Sequence, residues 1–169
     1  MSGARSALGA ALGLFTLAVL SARSADLPVD PSLRLGNAQS NYLLGCGGCH
    51  GTDGRSNSKL VPDLKDQVGY FLSTKAGREY LVRLPNVAFY TASNEELAAI
   101  LNYMVFQMGG TGVPEGAKPY TAGEVAKLRK TPLTEVSLVA FRARLVDELI
   151  AQHHAPETLR IYGYSSYMP

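Results

Sequence analysis

Cysteine and histidine are scarce in this chain. Its 169 residues contain two cysteines, Cys46 and Cys49, and three histidines, His50, His153 and His154. There is no second cysteine pair, so a four-ligand structural zinc site has too few donors at workable spacing. A disulfide between residues three apart would close a loop too short to restrict the unfolded chain much. Charge of one sign is also lacking. The formal net charge is +2, which argues against a nucleic acid or an anionic lipid surface as partner. No solenoid repeat, no low-complexity tract and no alternating strand pattern occurs. What remains is an all-α reading with chemistry concentrated in one short stretch.

The first 24 residues stand apart. Arg5 is followed by a weakly polar to apolar run from Ala7 to Ala22, too short and too rich in small residues for a membrane span. A charged start, an apolar middle and the end Ala22-Arg23-Ser24 are the layout of a secretory signal cleaved near residue 24. An uncleaved N-terminal anchor is the alternative. Arg5 and Arg23 lie in this segment and no acid does, so the 16 basic residues fall to 14 against 14 acids. The exported chain is then formally neutral, with no stable membrane span, and its expected location is the periplasm.

Beyond the signal, residues 26–37 carry two prolines and a glycine and are expected to form an extended arm. Residues 38–44 suggest a short helix, and the glycine-rich run 45–64 a loop held by something other than its own packing. Residues 65–84 are expected to give one or two short helices broken near Gly69 and Gly77. Ser93 and Glu96 make a capping box ahead of Leu97, Ile100, Leu101, Met104 and Met108 at helical spacing. Thr121 and Glu124 repeat the box. A last amphipathic helix over 134–152 places Leu138, Phe141, Leu145 and Leu149 on one face and Arg142, Arg144, Asp147 and Glu148 elsewhere. The tail after it reads as irregular.

The stretch GCGGCHG, residues 45–51, carries the chemistry. A redox dithiol would share its Cys-x-x-Cys core but needs a strand-helix context that is missing here. Covalent attachment of a c-type haem fits better. Cys46 and Cys49 would form thioether bonds to one side of the macrocycle, and His50 would lie under the iron as proximal ligand. The intervening glycines keep side chains away from it.

With these residues in view, the chain resembles the class I c-type cytochromes, best over 36–108. The motif continues as CHGTDG, Tyr42 stands four positions before Cys46, and Pro62-Asp63-Leu64 follows His50 at the family's distance. The resemblance implies a cytochrome c-like helical domain around one covalent haem over 25–133. The C-terminal helix and tail of 134–169 are an extension to it. It also implies that the Pro62 carbonyl accepts a hydrogen bond from the His50 ring, fixing it and raising its basicity.

The resemblance breaks at the sixth ligand. Where the family supplies methionine, this chain reads Arg83-Leu84-Pro85-Asn86, and no methionine or histidine lies between His50 and Tyr103, which matches the family's aromatic. Met104 is the preferred replacement, with Met108, His153, His154 and Met168 as alternatives, or the position is open. The expected function is a periplasmic monohaem electron carrier, more a carrier than an enzyme. Its partners would be a dehydrogenase-type donor and an oxidase or another cytochrome. An open site would instead make it a gas sensor or peroxidase-like enzyme. The C-terminal helix and Tyr162, Tyr164 and Tyr167 would suit a haem subunit of a larger respiratory or dehydrogenase complex. Lys59, Lys65, Lys75, Arg78 and Arg83 outnumber nearby acids and could flank the haem edge and guide an acidic partner, scattered solvated charge being the commoner arrangement.

Overall fold

The computed structural model describes residues 31–56, 58 and 61–164, all helix, turn or loop with no strand among them. The signal expected over 1–24 lies outside the described residues. No helix among the described residues is long and apolar enough to cross a membrane.

The first helix, α1, spans Pro31–Gly45, so the arm expected over 26–37 is helical from Pro31 onward. Proline suits a helix start, because the amide hydrogen it lacks would have no partner there. A single helical turn, α2, follows over Gly47–His50. A 3-10 segment at Val68–Ser73 leads into α3, Lys75–Arg83, whose start is capped by the Thr74 side chain accepting from the Gly77 amide. The break thus falls at Thr74, and Gly77 sits inside the helix. A short α4, Pro85–Ala88, comes next. Helix α5 spans Asn94–Met108, and the Ser93–Glu96 capping box is formed in both directions. Helix α6 is Ala122–Leu128, α7 is Leu138–Ala151, and α8 is Arg160–Tyr164. The tail expected to be irregular therefore holds a 3-10 turn at Glu157–Leu159 and α8.

These helices form two walls. In the first, α1 packs on α2 and α5, and α6 packs on α5. Tyr42, fully buried on α1, meets Tyr103 of α5 with ring centroids 5.6 Å apart. In the second, α3 and α7 both pack on the Val68–Ser73 segment, and α8 packs on α7. Phe71 is the pin of this wall. It is fully buried and lies 5.4 Å from the Tyr80 ring and 5.0 Å from the Tyr162 ring. Aromatic pairs at such distances stabilise beyond the area they bury.

The segment bearing Phe71 also reaches the first wall. Gly69 lies so close to the end of α5 that a β-carbon there would sit 2.6 Å from the Gly109 carbonyl oxygen. Polar ties close the rest. The Asn102 side chain donates to the Tyr120 carbonyl at 3.0 Å and accepts its amide at 2.6 Å. Arg129 donates to the carbonyls of Ala88, Tyr90 and Ala92, holding the chain after α4 against α6.

Two expectations about charge are corrected. Arg142 does not face away from the apolar stripe of α7: it is buried, at 7% exposure. It stands four residues after Leu138 and three before Leu145, which at helical spacing is the stripe itself. Arg78 is not available for docking. It stacks on the Tyr120 ring at 4.0 Å and donates to both oxygens of Glu124 and to the carbonyls of Lys118 and Pro119. Arg83 likewise donates to the Thr131 carbonyl. Lys59 lies outside the described residues.

Candidate functional site

The site begins where α1 ends. The Cys46 amide donates to the Tyr42 carbonyl at 2.7 Å, and the amides of Cys49 and His50 both donate back to the Cys46 carbonyl, at 3.1 and 3.0 Å. This turn carries both sulfurs and the imidazole within one revolution. Both cysteines are free thiols, Cys46 half-buried and Cys49 exposed. Space is tighter at the flank of the turn, against the movable end of a tyrosine, than between the sulfurs. A β-carbon at Gly45 would meet the Tyr90 hydroxyl at 2.5 Å, whereas one at Gly48 would meet nothing within 4 Å.

The loop that follows is fastened from several directions. Tyr42 donates its hydroxyl to the Gly51 carbonyl at 2.9 Å, and burial raises its pKa, so it remains a donor at neutral pH. Gly51 has φ +74°, and a β-carbon there would lie 2.0 Å from the Arg55 oxygen. The Gly54 carbonyl accepts the amides of Leu64 and Lys65 at 2.7 and 3.0 Å, folding the chain back. That return places the Pro62 carbonyl 3.0 Å from Nδ1 of His50. A carbonyl only accepts, so Nδ1 carries the hydrogen and Nε2 carries the lone pair. Burial keeps the His50 pKa below its ordinary value. The Pro62 bond opposes that shift, and the charge of Arg142 adds to it.

His50, Cys46, Cys49 and Pro62 line a cavity of about 340 Å³. Leu97, Ile100, Leu101 and Met104 reach it from α5, Tyr80 and Leu81 from α3, Leu138 and Arg142 from α7, and Tyr162 from α8. The opening is thus enclosed by both walls. Of the sixth-ligand candidates, Met104 lines this cavity, entering from the wall that packs on α1. Met108 does not line it. Its sulfur lies against Gly54, where a β-carbon would be 2.9 Å away. His153 and His154 are exposed just beyond α7 and are not in the cavity lining. Met168 lies outside the described residues. Sequence reasoning missed Tyr80, Tyr162 and Arg142 as lining residues; heptad spacing on α7 is the available signal for the last.

The donor set fits a c-type haem: two thiols on one lip, an imidazole lone pair beside them and a mostly aliphatic and aromatic interior. Among the described residues no cluster of three or more histidine, cysteine or acidic side chains could hold a bare metal ion instead.

Comparison with known proteins agrees. The chain is 31% identical over 118 residues to cytochrome c-552 of Thermus thermophilus, covering 59% of this chain and 90% of that protein. The same identity over the same length is found with cytochrome c-552 of a second T. thermophilus strain, with 80% of that protein covered. No family model matches, and no solved structure does. The chain belongs to the c-type cytochromes, electron carriers built on haem c.

Proposed function

We propose that this protein is a periplasmic carrier of single electrons with one haem c, working between a dehydrogenase-type donor and an oxidase or another cytochrome. The observation that carries the reading is the coincidence, on one cavity lip, of two free thiols and an imidazole whose Nδ1 is 3.0 Å from the Pro62 carbonyl oxygen. When bound, the haem supplies reversible one-electron exchange between ferric and ferrous iron.

The chain's residues do the rest. Cys46 and Cys49 hold the group covalently, and His50 offers Nε2 to the metal. Pro62 keeps the ring from turning and makes that nitrogen a better donor. The aliphatic side chains of α5 exclude water. Partners would dock briefly at the exposed side of the attachment turn, near Cys49 and Leu44, through a small interface. Residues 1–24 are assigned to export, 25–133 to the haem domain and 134–169 to the C-terminal helix and tail. Tyr162 and the buried face of α7 are occupied within the chain, which leaves them no part in docking to a larger complex.

The test is chemical. Protein from an export-competent host should carry a red pigment that acid-acetone does not extract, and a Cys46→Ala, Cys49→Ala double variant should lose it entirely. Two free sulfhydryls and no pigment in the unaltered protein would end the reading.

A second reading concerns the sixth position, where Met104 is the candidate among the described residues that lines the cavity. It comes from the wall adjoining His50, whereas the facing wall presents Arg142 and the tyrosines 80 and 162. That polarity favours an open site suited to a gas or peroxide. Met104→Ala should change the low-spin spectrum of the oxidised protein if Met104 is the ligand. An unchanged spectrum, with rapid carbon monoxide binding to the reduced protein, selects the open site.

A further inference from the structure

We propose that Arg142 sets the reduction potential of this protein, as a fixed positive charge that α7 holds against the haem cavity and that favours the reduced state. The inference rests on the haem reading above, but not on which residue takes the sixth position.

Four observations carry it. Arg142 is buried, at 7% exposure, and lines the cavity. Its guanidinium carbon lies 5.7 Å from the centre of the Tyr162 ring, itself buried on the same wall. It also engages Tyr80, whose hydroxyl it hydrogen-bonds. Finally, His50 lines the same cavity from the attachment wall. The guanidinium is therefore held by Tyr162 and Tyr80 in the lining of the cavity that His50 also lines.

The consequence follows from electrostatics. Reduction by one electron lowers the charge of the cavity's contents by one unit. A positive charge fixed nearby, where water is largely excluded, stabilises the product of that step over the reactant. Arginine does not deprotonate in proteins, so the bias persists at every physiological pH. Burying a guanidinium is costly, and an apolar residue of similar volume usually serves stability as well or better. Arg142 occupies a position in the apolar stripe of α7 where Leu or Met would pack, so stability alone does not account for it.

The experiment is a spectroelectrochemical titration of the haem-loaded protein with Arg142→Met, Arg142→Gln and Arg142→Lys. Methionine keeps the length and packing of the side chain, and lysine keeps the charge. The Met and Gln variants should shift the ferrous-to-ferric ratio at a fixed poise at least tenfold toward ferric, about 59 mV for one electron. The Lys variant should stay within about threefold of the unaltered protein. Should one neutral variant fail to fold, the other against Lys decides. An unchanged potential in a neutral variant overturns the proposal. So does an equal shift in the Lys variant, which would mean disturbed packing and water entry. Absence of covalent pigment in the unaltered protein would instead defeat the haem reading itself.

Discussion

The two walls of the cavity are built by different means. The attachment wall is local. Cys46, Cys49 and His50 share one turn, the loop from Gly51 to Leu64 is tied by hydrogen bonds across short sequence separations, and His50 finds its partner 12 residues away. The facing wall is assembled from distant parts. Tyr80 comes from α3, Arg142 from α7 and Tyr162 from α8; the two tyrosines meet through the Phe71 ring and Arg142 lies over that of Tyr162. Chemistry that depends on close atom placement sits where the chain is short and tethered. The setting of the site, its polarity and charge, is supplied by the segment that arrives last in sequence. The C-terminal segment is part of the cavity, not an appendage.

The largest effect that could break this comparison is on stability. Leu149 on α7 is 1% exposed and packs in the same core as Phe71 and Val146. Leu149→Ala should cost about 2–5 kcal/mol in chemical denaturation, the range for a buried leucine truncated in a core. The unfolding should remain a single transition, with the facing wall and the attachment wall melting together. A loss of under about 0.5 kcal/mol, as for a surface position, would show α7 to be a separable addition. The two walls would then not be one unit.

What can be read in advance divides along the same line. The thiol pair, His50 and Pro62 are legible because their relation is a spacing, and spacing survives in a bare sequence. The α5 capping box is legible for the same reason. The facing wall is not. Charge alone puts Arg142 on the polar side of α7, although its place four residues after Leu138 puts it on the buried stripe. Residue type and periodicity conflict there, and periodicity wins. The place of Tyr162 in the cavity wall escapes notice because the tail has no apolar repeat long enough to show a helix. It becomes helical by packing on α7, a tertiary effect that local propensity does not contain. The extended arm fails at Pro31, a residue that breaks a helix interior but here stands at a helix start.

The smallest effect tests how the walls are clasped. Arg78 on α3 belongs to the facing wall, and Glu124 on α6 belongs to the helix packed on α5. Their bidentate pair, with contacts of 2.6 and 2.8 Å, therefore joins one wall to the other. The Arg78 hydrogen bonds hold the Glu124 carboxyl below its ordinary pKa, against an opposing effect of burial. A carboxyl with a lowered folded pKa contributes its stability fully above the unfolded value, near 4.3. It loses that contribution as pH falls through the folded value. The pair is partly solvated, so its worth is modest, about 1 kcal/mol at neutral pH. Glu124→Gln should show that deficit at pH 7, and the gap to the unaltered protein should narrow progressively below about pH 4. Denaturation curves at pH 7, 5, 4 and 3 would measure it. A deficit that stayed constant down to pH 3 would mean that the carboxylate charge contributes nothing to joining the walls.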